Sequence, residues 1–151
     1  MAAGDGVVGD DQYQLDTGTV IGLSSSLRLG GEGVTGWDDA VVLDHDTDND
    51  LAAGASGGSD TDGARVVALS AIIDEDTEAD ARAALRALRA EWRASGRTDL
   101  ELHRQVAGVH EYLVGRPRGL TASVTQAVKV GIIPVLCMFR VLDPEVYEES
   151  S

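Results

Sequence analysis

The sequence predicts an α+β domain: a mainly antiparallel β-sandwich flanked by one α-helix. Three observations carry this prediction. Only residues 77–95 repeat their apolar positions at helical spacing. Short apolar runs before and after that segment have either the alternation or the uniform apolarity of strands, and Gly, Ser and Asp clusters punctuate the intervals between them.

In chain order, residues 13–16 form a short strand before a turn at Thr17-Gly18. Residues 20–23 and 26–29 follow, the latter ended by Gly30-Gly31, and residues 37–43, with Val41-Val42-Leu43, make another candidate strand. Residues 44–63 are dominated by Asp, Gly, Ser and Thr and have almost no apolar surface to bury, which predicts a long exposed acidic loop. Residues 65–73 then place Val66, Val67, Ala68, Leu69, Ala71, Ile72 and Ile73 on both faces of an extended segment, the pattern of a central, buried strand. In the helix, Asp76 or Thr77 can cap the first turn, and Glu78 and Asp80 suit its positive end. Arg86, Arg89 and Arg93 suit the other end, and Ala81, Leu85, Leu88 and Trp92 draw one apolar stripe. Ser95-Gly96 stops it.

Downstream, Leu100, Leu102, Arg104 and Val106 alternate with Asp99, Glu101, His103 and Gln105, predicting a strand with one wet face. Gly108 turns the chain into residues 109–114 and closes a hairpin. An extended piece at 116–124 and the nearly all-apolar run 132–142 complete the set. The last is a core strand with a bulge or local edge at Pro134, since proline cannot donate to a ladder.

Composition narrows function. The chain of 151 residues contains no run approaching the ~20 consecutive apolar residues of a membrane-spanning helix, and a single domain over 1–151 is expected. Its first residues lack the basic and apolar regions of a secretory leader, which points to synthesis and assembly in a cytoplasm. Hydrophobic residues make up 43% but aromatic ones only 4%, so aliphatic side chains supply the bulk, with Trp37 and Trp92 as anchors. Cys137 lies in an apolar run and reads as a buried small hydrophobe, because one thiol closes no internal disulfide.

The net charge of −14, from 26 acidic against 12 basic residues with Lys129 the only lysine, argues against nucleic acid and against an anionic membrane surface as partners. At ~1 M salt the Debye length falls to ~3 Å and such self-repulsion largely vanishes. A salt-loving origin is therefore favoured over a high-GC mesophilic one, and stability should rise steeply toward molar NaCl.

Chemical motifs are sparse. Asp44, Asp46, Asp48 and Asp50 alternate like calcium ligands, but the sixth and twelfth positions of that loop are Asn49 and Ala55 rather than Gly and Glu, so a solvated acidic loop is preferred over a calcium site. His45, His103 and His110 lack zinc-ligand spacing; His103 and His110 could face each other across the hairpin as a surface pair. No nucleophile elbow and no phosphate-binding glycine motif follows a candidate strand, so no catalytic residue, cofactor or enzyme activity is expected. Arg116-Pro117-Arg118-Gly119 is the compact basic element of an acidic chain. Arg116 and Arg118 are candidates for pairing with acidic patches on a neighbouring subunit, with exposed strand-entry arginines as the plainer alternative.

The second half of the chain resembles the distal tail proteins of viruses with long flexible tails. The matching order is the Arg-initiated strand at 65–73, an acidic stretch, the Ala/Leu/Arg helix at 81–89, a polar hairpin, the strand Val114-Gly115-Arg116-Pro117-Arg118-Gly119-Leu120, and the ending Phe139-Arg140-Val141-Leu142-Asp143-Pro144-Glu145-Val146-Tyr147. The resemblance covers residues 65–147 and, loosely, Val20-Ile21-Gly22-Leu23 and Trp37-Asp38. It implies a β-sandwich with one helix that assembles as a homohexameric ring at the tail tip of the virion. It further implies contact with the tail tube protein, the baseplate hub that carries the receptor-binding apparatus, and the tape-measure protein. Many relatives continue past the Asp-Pro-x-x-Tyr segment into a carbohydrate-binding-like domain, whereas this chain stops at Ser151, so direct glycan contact is not implied. A tail tube or tail completion protein shares this plan and is the related alternative; a β-sandwich adhesion or carbohydrate-binding module is the alternative of another class, disfavoured by the scarcity of aromatic residues.

Overall fold

A computed structural model of the chain describes residues 2–22, 25–39, 42–43, 47–48, 55–56, 61–62, 65–93, 99–143 and 145–149. The strands β1 (Gln12–Leu15), β2 (Val20–Gly22) and β3 (Leu27–Thr35) come first. Four two-residue strands follow: β4 (Val42–Leu43), β5 (Thr47–Asp48), β6 (Ala55–Ser56) and β7 (Thr61–Asp62). Then come β8 (Arg65–Asp74), helix α1 (Glu78–Arg93), β9 (Leu100–Val106), β10 (Val109–Ala122), a 3₁₀ turn (Gln126–Val130), β11 (Ile132–Val141) and β12 (Tyr147–Glu148).

The predicted α+β class holds. One antiparallel sheet runs in the order β2-β1-β9-β10-β11-β8-β3, with β12 added to β10. Strand β10 turns this path into a sandwich. It pairs with β9 from Val109 to Gly115 and with β11 from Gly115 to Ala122, so Gly115 faces partners on both sides, Leu100 and Val141. The strand passes from one half-sheet to the other at Gly115, and the register then skips Arg118 between Pro117 and Gly119, a bulge within the β10–β11 ladder. The two halves share one core: Tyr13, Leu15, Ile21, Leu102 and Leu113 from the first, Val67, Leu69, Ile73, Cys137 and Phe139 from the second. Each large aliphatic or aromatic side chain so buried contributes about 1.5–3 kcal/mol of transfer free energy.

Helix α1 lies against β8, β10 and β11 and presents to them the predicted stripe, Ala81, Leu85, Leu88 and Trp92. Thr77 caps it, its hydroxyl accepting from the Asp80 amide at 3.1 Å. The β9–β10 hairpin turns at Ala107 and Gly108, whose φ values of 52° and 78° are those of a type I′ turn. Cys137 is fully buried, and burial pushes its thiol up to about 12, which leaves it an inert core residue.

Several expectations change. Strand β3 runs on through Gly30-Gly31, because a register shift between Leu29 and Val34 absorbs the extra residues. The predicted segments 109–114 and 116–124 are one strand, β10, since Gly115 pairs with both β9 and β11 and the ladder is unbroken there. Strand β8 is central, between β11 and β3, but buries one face only: Val67, Leu69, Ala71 and Ile73 are inside while Val66 is 48% exposed. Trp37 sits in a bend rather than a strand and is buried there. In the region 44–63 read as an acidic loop, β5 pairs with β6, and β7 pairs with β4 just before it.

Candidate functional site

The two halves of β10 expose very different surfaces. On the β9 side, alternation directs Glu101, His103 and Gln105 away from the core, the face expected to be wet. The N-terminal segment covers it instead, while β12 extends the sheet beside β10. Residues 2–9 are tied down by buried glutamines: Gln14 Oε1 accepts from the Gly6 amide at 2.8 Å, and Gln12 Oε1 from the amides of Val8 and Gly9 at 2.8 and 2.9 Å. Gly4, with φ of 80°, lies directly on His103; a Cβ there would come within 2.3 Å of the imidazole Nδ1.

His103 is consequently 0% exposed, and both of its ring nitrogens are engaged. Nε2 donates to Glu101 Oε1 at 2.8 Å, and Nδ1 lies in hydrogen-bonding contact with His110 Nε2 at 2.9 Å. The histidine pair expected across the hairpin therefore forms, but as a covered contact rather than a surface one. Burial, reinforced by His103, holds the His110 pKa below its ordinary value.

Tyr112 stacks on His103 and Tyr147 stacks on Tyr112, with ring centroids 4.8 and 5.4 Å apart. The Tyr147 hydroxyl donates to Asp143 at 2.6 Å and is thereby pushed up to about 12. Asp143 also accepts from the Glu145 amide at 3.1 Å, and these bonds hold its carboxyl below the usual range. The Asp-Pro-x-x-Tyr ending thus acts as a clamp that lays the C-terminal segment beside the hairpin. Among the described residues, no three His, Cys, Asp or Glu side chains converge as a metal-ligand set.

On the core side of the same half, Arg104 is buried beneath Trp37, its guanidinium carbon 4.4 Å from the ring centroid. It donates to Glu111 at 2.7 Å and to Asp38 at 2.8 Å, and Trp37 Nε1 also donates to Glu111, at 3.1 Å. Burial opposes the Arg104 charge, but the bonds to Asp38 and Glu111 outweigh it and raise its pKa. The sequence did carry a signal for this network: Arg104 stands in the apolar phase of an alternating strand.

The β11 half is bare on its outer face. Arg116 and Arg140 are directly opposed in the β10–β11 register, and Arg118 projects from the bulge beside them. Arg116 is paired with Asp99 at 3.0 Å. Arg118 and Arg140 have no acidic partner among the described residues; with Arg65 and Val66 they line an open recess of about 240 Å³. The predicted Arg116 and Arg118 are therefore joined by Arg140, which the sequence reading missed although it occupies the outward phase of β11.

From this arginine end, Ala68, Ser70 and Ile72 of β8 and Met138, Leu136 and Pro134 of β11 continue the face without a carboxylate until Asp74, which is paired with Arg28 at 2.9 Å. An open trough of about 550 Å³ runs over Gly30, Ser70, Ile72, Thr121, Pro134 and Leu136, with Glu32 at its rim. Of the alternate aspartates considered for calcium, Asp44, Asp46 and Asp50 lie outside the described residues, as does the side chain of Asp48 on β5. No helix among the described residues is long and apolar enough to cross a membrane.

The fold has a solved counterpart. The chain matches the crystal structure of the SPP1 Dit (gp 19.1) protein with a TM-score of 0.61 and 19% sequence identity, over 82% of this chain and 47% of that one. That protein is described as a paradigm of the hub adsorption apparatus in phages that infect Gram-positive bacteria. The chain thus spans about half the length of the structure it matches, and likeness at this identity establishes a shared fold. No family model and no curated protein matches the sequence.

Proposed function

We propose that this chain is a structural, non-enzymatic virion protein of a long-tailed virus: a distal tail protein forming a ring at the end of the tail tube and joining it to the baseplate hub and receptor-binding apparatus. The observation that carries this reading is the fold shared with SPP1 Dit, an adsorption-hub protein. The order of strands, helix and Asp-Pro-x-x-Tyr clamp in residues 65–147 supports it. A subunit of that kind works through its surfaces. The outer face of β8, β10 and β11, apolar along its length and arginine-rich at one end, is the kind of surface that assembly covers.

The partners in this reading are further copies of the chain in a hexameric ring, the tail tube protein, the hub and the tape-measure protein, met at the tail tip after assembly in the host cytoplasm. A salt-loving host belongs to the same proposal and rests on the net charge of −14 with one lysine. Neither cofactor nor metal takes part, and the His103–His110 contact serves structure, since His103 is sealed beneath Gly4. The adhesion-module alternative loses ground because both tryptophans are 1% exposed and Tyr112 is stacked between His103 and Tyr147, which leaves few aromatic faces free for a sugar.

Cryo-electron microscopy of purified particles tests the reading. The expected result is density for this chain as a single ring at the distal end of the tube. Rings repeated along the tube would make it the tube protein, and a position outside the tail would overturn the proposal.

A further inference from the structure

Charge is distributed unevenly over this molecule. Residues 2–22 and 143–149 contain no lysine or arginine, and on these terminal segments Asp5, Asp10, Asp11, Glu145, Glu148 and Glu149 are exposed. The outer face of the other half-sheet carries Arg118 and Arg140, both exposed and without a carboxylate among the described residues, ahead of an apolar stripe through Met138, Leu136 and Ile72. Directly opposed like charges such as Arg116 and Arg140 weaken a strand pair, and the single carboxylate of Asp99 relieves only one of them. In a chain with 26 acidic and 12 basic residues, this end of the sheet is built to receive carboxylates from elsewhere.

We propose that the arginine-ended outer face of β8, β10 and β11 seats on the acidic terminal segments of a second copy of this chain, head to tail. The inference rests on the tail-ring reading and names the contact that would close such a ring. A two-fold contact of the face with itself fits poorly, because among the described residues Asp74 is already held by Arg28 and Asp99 by Arg116, which leaves Glu32 at the rim of the trough to meet Arg118 and Arg140. Two different, complementary surfaces on one chain make a heterologous contact, and heterologous contacts close into rings when the rotation allows. The apolar stripe supplies burial in this contact. The guanidinium groups set its register, since planar forks match carboxylates in direction as well as charge.

Paired charge reversals test this. Arg118→Glu with Arg140→Glu makes both surfaces acidic, and Glu148→Arg with Glu149→Arg makes both more basic. Each double variant alone should lose self-association by about tenfold or more relative to the wild type, read by sedimentation and native mass spectrometry. An equimolar mixture should regain it as an alternating assembly, because each unlike neighbour restores an acid–arginine contact. Circular dichroism and melting of each variant confirm that it is folded, and recovery in the mixture is a result that misfolded chains cannot give. Double variants that assemble like the wild type, or a mixture that stays dissociated, overturn the proposed contact; so does a wild type that remains monomeric at every concentration and salt tested. None of these results bears on the particle density that decides the tail-tip reading, so the two can fail separately.

Discussion

Around His103 the half of β10 that pairs with β9 is covered on both faces, with Val106 and Val109 exposed only at the hairpin tip, whereas the half that pairs with β11 is covered on one. In the first, the buried polar side chains His103, Arg104 and Gln14 have partners: His103 with Glu101 and His110, Arg104 with Glu111 and Asp38, and Gln14 with Gly6 and Gly18. In the second, Val66 and Leu136 are left in solvent and two arginines lack partners among the described residues. A single strand therefore shows a surface completed by its own chain beside one left open. The difference lies in which segments return to cover the sheet. The N-terminal segment lies on the hairpin and the C-terminal one pairs beside it as β12, and no described segment lies on the outer face of β8 and β11.

Breaking the joint between the halves should have the largest effect. A Cβ on Gly115 would meet the Arg140 carbonyl oxygen at 2.0 Å and the Phe139 ring at 2.9 Å, so Gly115→Ala must push β10 off β11. A loss of about 3 kcal/mol or more in denaturant unfolding is expected, the upper end for overpacking. Stability within ~0.5 kcal/mol of the wild type would mean that the halves are not joined through that close backbone approach.

The contrast between covered and open arginines comes next. Arg104→Met strands Glu111 and removes the guanidinium from Trp37, and should cost about 3 kcal/mol. Arg140→Met, on the open face, should change stability by no more than ~0.5 kcal/mol. Equal effects from the two would erase the distinction drawn here.

A smaller effect concerns the histidine pair. Because the folded His110 pKa lies below its ordinary 6.5, the unfolded chain binds the proton first as pH falls. Its contribution to stability should be intact above about 6.5, decline as the pH drops from there toward the folded value, and be level below it. His110→Gln should flatten the stability profile across that window; a profile unchanged by the substitution would show that another group sets it. Smallest of all, Leu136→Thr on the open face should leave monomer stability within ~0.5 kcal/mol while weakening self-association.

Legibility follows the range of the interactions. Helix α1 could be read from spacing, and Ala81, Leu85, Leu88 and Trp92 are all buried as that spacing demands, because a helix face is defined by residues three and four apart. The hairpin at Ala107-Gly108 was legible for the same reason, since its turn conformation is local. His103 was placed on a wet face because alternation reports that a strand has two sides without reporting what covers each. The cover is Gly4, far away in sequence. Arg140 was missed as a neighbour of Arg116 because cross-strand register becomes visible only once β10 and β11 are aligned.

Local spacing and composition thus determined the α+β class, the helix with its buried stripe, the turn of the hairpin and the acidic character of the surface. Tertiary structure alone decided that β10 serves two half-sheets by changing partner at Gly115, that the N-terminal segment covers one of them, and that three arginines gather on the other. The physical reason is that side-chain periodicity encodes which way a residue points along its own strand, while burial and charge pairing depend on which distant segments pack against it.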